Sequence, residues 1–163
     1  MAPQDVENLL AFLEETPEVI RSLAENLPVR ELRRKPAKET FSVLEHVCHL
    51  RDIEREGYCV RIAKLLSEEQ PFLTDIDGDK LAEERNYNSQ IFEEALSAFT
   101  RARKNNIQTI RALPPENLKR IGIFQNVGTI TLEQLLSMMR EHDNEHLRAL
   151  SDLRSQVTKR GFE

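Results

Sequence analysis

Apolar positions recur at helical spacing in four long stretches of this chain, and polar or turn-forming residues separate them. The first stretch, over about 5–26, carries Val6, Leu9, Leu10, Leu13, Val19, Ile20 and Leu23, with Leu27 just beyond. Steps of three and four residues put these side chains on one face of a helix. Thr16-Pro17 falls inside it, where proline can kink or split a helix. Leu27-Pro28 ends the stretch, and the polar connection over 29–40 has room for one short helical turn. The second stretch opens at Ser42, with Glu45 three residues later and Phe41 just before. That is a capping box with a hydrophobic staple residue at the position such a staple needs. It continues through Leu44, Val47, Leu50, Ile53, Tyr58, Ile62, Leu65 and Leu66 to about 69.

The connection over 70–79 is rich in turn formers, and its alternating Asp75, Asp77 and Asp79 invite a calcium-loop reading. An EF-hand loop needs glycine at position six and glutamate at position twelve. Counted from Asp75 those positions hold Lys80 and Asn86, so the reading fails. Asp77 or Asp79 is instead the N-cap of a short helix over 79–86. The third long stretch, over 89–113, carries Ile91, Phe92, Ala95, Leu96, Phe99, Ala102, Ile107, Ile110 and Leu113, with Asn105-Asn106 a weak point and Pro114-Pro115 the stop. Residues 121–130, with Gly122, Asn126 and Gly128, alternate enough for a small hairpin or extended crossover. Thr131 with Gln134 forms a second capping box, which opens the last helix, over 131 to about 156. Its stripe runs Leu132, Leu135, Leu136, Met139, His142, His146, Ala149, Leu150 and Leu153. The pattern predicts an all-α chain: a four-helix bundle with a short extra helix and a small hairpin before the last helix, forming one domain over 1–163.

Composition narrows the function classes. Lys and Arg total 23 against 28 Asp and Glu, a net charge of −5, which argues against a general nucleic-acid binder. The basic group Arg30, Arg33, Arg34 and Lys35 is too short to reverse that balance. No apolar run approaches the roughly 20 residues needed to cross a bilayer, so no membrane partner is expected. The first residues carry acid rather than the basic start of a signal peptide, and a cytoplasmic location is expected. Cys48 and Cys59 lie eleven residues apart on one predicted helix, beyond disulfide reach, and read as reduced core thiols.

All four histidines, His46, His49, His142 and His146, fall on two predicted helices and none is spent in a loop. His142 and His146, four apart, share a helical face and make a natural two-point chelate for zinc, nickel or a similar ion. The same pair is compatible with two imidazoles satisfied by hydrogen bonds inside a bundle. A third imidazole from the facing helix would leave a coordination position open, as catalytic sites do, whereas all four would close a structural site. On helical geometry His46 lies nearer the apolar face of its helix than His49, so the residues leave both open as the third ligand. Glu54 and Asp143 are the acids placed to orient an imidazole or to act in catalysis. Other chemistries are poorly served. There is no glycine-rich phosphate loop, no G-x-S-x-G and no C-x-x-C, and Asp143 stands where a zinc protease motif has glutamate.

Phe41-Ser42-Val43-Leu44-Glu45-His46-Val47-Cys48-His49-Leu50 is similar to the W-S-x-x-E-x-x-x-H-L segment of the DinB-like superfamily, with Phe41 in place of tryptophan. His142-Asp143-Asn144-Glu145-His146 resembles that family's late H-x-x-x-H helix, and the resemblance spans about 5–156. It implies a four-helix bundle with a three-histidine site for a divalent ion, zinc or nickel, held by His49, His142 and His146. His46 matches no ligand position. The resemblance further implies a small-molecule substrate, a hydrolase or a thiol-dependent transferase using a low-molecular-weight thiol, and a homodimer. The alternative expectation is a non-catalytic bundle or dimerisation module whose metal is structural.

Overall fold

The structure, a computed structural model, describes residues 1–161. Helix α1 spans Pro3–Leu23, and its continuity through Pro17 needs explaining. Proline lacks the N–H that would bond the carbonyl four residues back, here that of Leu13. That carbonyl instead accepts a hydrogen bond from Arg103 Nη1 at 2.8 Å, so the group proline leaves unpaired is satisfied from another helix. A single turn, α2, occupies Val29–Leu32 in the polar connection.

Helix α3, Val43–Asp52, begins as its capping box predicts: Glu45 N–H donates to Ser42 Oγ and Ser42 N–H to Glu45 Oε1, each at 3.1 Å. The predicted single second helix is interrupted. A π-helical segment over Ile53–Tyr58 joins α3 to α4, Cys59–Ser67, and it changes which residues face inward. Cys48 is buried as expected, but Cys59 is exposed rather than in the core.

The connection that follows contributes a strand, β1 (Phe72–Leu73), which two residues are too few to announce by alternation. Helix α5, Gly78–Glu84, is capped by Asp77, whose Oδ1 accepts from Lys80 N–H at 3.1 Å. Helix α6, Phe92–Arg111, runs unbroken through Asn105-Asn106. Strands β2 (Ile121–Phe124) and β3 (Gly128–Thr131) form the predicted antiparallel hairpin, with Asn126 and Gly128 at φ of 62° and 110° in its turn. β1 adds to β2 in parallel, Phe72 beside Ile123, making a three-stranded sheet in the order β1-β2-β3. Helix α7, Leu132–Lys159, starts on the Thr131–Gln134 capping box.

The long elements α1, α3 with α4, α6 and α7 form the four-helix bundle, α3 packing on α6 and α1 on both α6 and α7. Two buried apolar clusters fill it, one around Leu13, Leu65 and Met139, the other around Ile20, Val47 and Phe99. Between them lies a belt of buried polar groups, and the histidines sit beside it.

Candidate metal centre

Helix α3 contributes His46 and His49, and α7 contributes His142 and His146. On α7 the fully buried position at the level of the histidines is Asp143, not a histidine. The two imidazoles therefore flank the seam at the bundle's edge, which corrects the predicted stripe by one position. This offset leaves them half-buried and open to one side.

Three Nε2 atoms converge there. His142 Nε2 lies 3.0 Å from His49 Nε2 and 3.2 Å from His146 Nε2. The potential ligand atoms of these three residues all fall within 4.8 Å of one another. Tetrahedral zinc–nitrogen bonds of about 2.0–2.1 Å space their nitrogens roughly 3.3 Å apart, close to the separations found. The fourth histidine faces elsewhere: His46 Nδ1 is 2.7 Å from His146 Nδ1. The two nitrogens of an imidazole point to opposite sides of the ring, so His46 backs His146 rather than joining the cluster. A His146 that offers its Nε2 lone pair forward carries its proton on Nδ1, and His46 is placed to accept it.

The electrostatics keep these rings neutral. Burial pushes His46, His49 and His142 down to about 4, helped at His46 and His142 by the neighbouring His49. Burial and three flanking imidazoles push His146 lower still. Neutral imidazoles carry the free lone pairs that a cation takes, so the donor set fits a divalent ion. His49 Nδ1 and His142 Nδ1 are buried without a hydrogen-bond partner among the described residues.

Behind the cluster the structure is closed and polar. Arg103, 1 % exposed, donates from Nη1 to Asp143 Oδ2 at 2.6 Å and from Nη2 to Asp143 Oδ1 at 3.0 Å. Its Nη2 also reaches Glu54 Oε2 at 2.9 Å, and Asn106 Nδ2 donates to Glu54 Oε1 at 2.9 Å. Thr16 Oγ1 completes the set with a 2.6 Å bond to Asp143 Oδ2. Both acids singled out from the sequence thus lie here, engaged with Arg103 and with no bond to an imidazole. Arg103, Asn106 and Thr16 escaped the sequence reading. A signal for two of them existed: Phe99, Arg103, Asn106 and Ile110 recur at helical spacing, so polar residues stand at core positions of α6.

In front of the cluster is a cavity of about 740 Å³, lined by His49, His142 and His146 but not by His46. Its far wall is Tyr58, Arg61, Ile76 and Phe124, with the Tyr58 ring centre 5.9 Å from that of His142. Gly78, at the start of α5, packs flat against His49: a Cβ there would collide with the ring, 2.7 Å from Nδ1. Glycine at this place lets α5 hold the imidazole in position.

Comparison with known proteins agrees with this architecture. Among solved structures, YfiT from Bacillus subtilis, described as a probable metal-dependent hydrolase with an unusual four-helix bundle topology, superposes with a TM-score of 0.89. The alignment covers 100 % of this chain and 91 % of that one at 20 % identity, a likeness of fold. Among curated proteins none gives a significant match. Residues 13–150 match the family model of the DinB superfamily, and the chain belongs to that superfamily.

Proposed function

We propose that this protein is a metal-dependent hydrolase in which His49, His142 and His146 hold a divalent ion, zinc or nickel, at the head of the cavity. The observation that carries this reading is the convergence of three neutral Nε2 atoms within ligand spacing at the edge of an open cavity. When bound, such an ion supplies a Lewis acid for activating water or polarising a carbonyl. The chain supplies the rest. His46 fixes the tautomer of His146, and Gly78 fixes the plane of His49. Asp143 and Glu54 act as positioning residues: through Arg103 and Thr16 they tie α7 to α1, α6 and the π-helical segment. The YfiT description supports hydrolysis as the reaction type.

The test is metal analysis of purified protein together with His142→Ala, His49→Ala and His46→Ala variants. One equivalent of divalent ion is expected in the native chain. Binding should be lost in the first two variants with helicity retained, and only weakened in the third, by about 10–100-fold. Full binding by His49→Ala with loss in His46→Ala would overturn the ligand assignment. Turnover that requires an added low-molecular-weight thiol would replace hydrolysis by thiol-dependent transfer.

A further inference from the structure

Arg61 is a buried charge on the cavity wall that metal binding does not use. Its side chain is 5 % exposed, yet its partners are few. Nε and Nη2 both donate to a single carbonyl, that of Thr74, at 3.1 and 2.9 Å. The carboxylate within reach, Asp75, stands 3.7 Å from Nη2 and is itself 56 % exposed. Nη1 makes no hydrogen bond among the described residues. It lies over Gly57, where a Cβ would come within 3.2 Å of it, so the residue beneath does not cover it. The guanidinium lies over two aromatic rings, its Cζ 4.7 Å from the Phe124 ring centre and 5.4 Å from that of Tyr58, contacts that offset part of its charge but give Nη1 no acceptor.

A buried cation with one neutral acceptor and one loose carboxylate is under-compensated, which is costly unless something else completes it. What completes a guanidinium is a planar or tetrahedral oxyanion taken by its fork of donors. Arg61 lines the same cavity as the three histidines, and the Tyr58 ring touches both sides, lying beside His142 and beneath Arg61.

We propose that Arg61 is an anion-recognising residue of this cavity, and that the substrate is a small molecule bearing a carboxylate or phosphate group beside the bond that is cleaved. The relation to the cleaved bond rests on the metal-dependent reading above; the anion subsite does not.

The test uses inorganic phosphate and acetate as separate probes, on zinc-loaded and on chelator-treated protein. Nitrogen-edited NMR of the arginine side chains follows Arg61 directly, with Arg61→Lys supplying the assignment. Saturable movement of the Arg61 resonances is expected with at least one anion. The anion that binds tighter identifies a phosphate-bearing or a carboxylate-bearing substrate. In Arg61→Gln the dissociation constant for that anion should rise tenfold or more. An Arg61 signal that neither anion moves, or an unchanged affinity in Arg61→Gln, would overturn the proposal. Should Arg61→Gln fail to fold, the wild-type side-chain spectrum still decides. Anion binding through Arg61 in a protein that takes up no metal would sink the metal reading and leave this one standing. Metal uptake with no anion response does the reverse.

Discussion

Two buried arginines stand on either side of the histidine cluster, and they are built in opposite ways. Arg103 is answered by two carboxylates and a carbonyl in a fully enclosed belt. Arg61 faces the cavity with one carbonyl and a distant, solvated carboxylate. Both charges bear on His142 and lower its affinity for a proton. The difference shows how a bundle makes one side of a site rigid and the other receptive: the cation is fully paired with carboxylates where structure must be fixed, and left loosely paired where a ligand enters.

If that contrast is right, removing Arg103 should be the more damaging change. Arg103→Met strands Asp143 and Glu54 as buried, unpaired carboxylates, and the expected loss is about 3–5 kcal/mol in urea denaturation. A loss of less than about 1 kcal/mol would show the belt to be ornamental. The pH response comes next. In metal-free protein the buried imidazoles titrate near 4 against an ordinary value of 6.5. Between those values the unfolded chain binds protons that the folded chain refuses, so stability falls as pH drops from 6.5 to 4. Stability flat across that window would mean the folded rings titrate like ordinary imidazoles. Gly78→Ala, which drives a methyl into His49, should cost about 1–3 kcal/mol by overpacking and weaken metal binding, read by calorimetry. Unaltered affinity would free His49 from its dependence on α5. Arg61→Gln should have the smallest effect on stability, about 1 kcal/mol, because it breaks bonds to one neutral carbonyl. A cost equal to that of Arg103→Met would erase the contrast.

Much of the frame was legible because it depends on local chemistry. The capping boxes at Ser42 and Thr131 formed as their spacing required, and proline, glycine and asparagine marked the connections. The histidine cluster was legible because four scarce residues fell on two helices that a bundle brings together. What escaped was set by contacts between distant segments. β1 exists because β2 pairs with it, not because two residues prefer extension. The partnership of Pro17 with Arg103 links residues whose separate roles, helix breaker and surface charge, suggest nothing of each other. Arg103 and Asn106 were readable as polar intruders on an apolar stripe. Arg61 carried no such mark, since its place follows from the π-helical segment before it.

That segment acts as a phase shifter. In an uninterrupted α-helix, residues seven apart project in nearly the same direction, so Glu54 and Arg61 would share one face. A π-turn inserts the equivalent of one extra residue and rotates everything after it by roughly 100°. Glu54 accordingly meets Arg103 in the sealed belt, while Arg61 emerges into the cavity. One continuous rod thereby serves two differently oriented surfaces without a loop between them. Deleting a single residue within the turn would re-index the second surface against the first while leaving every side chain on it chemically intact.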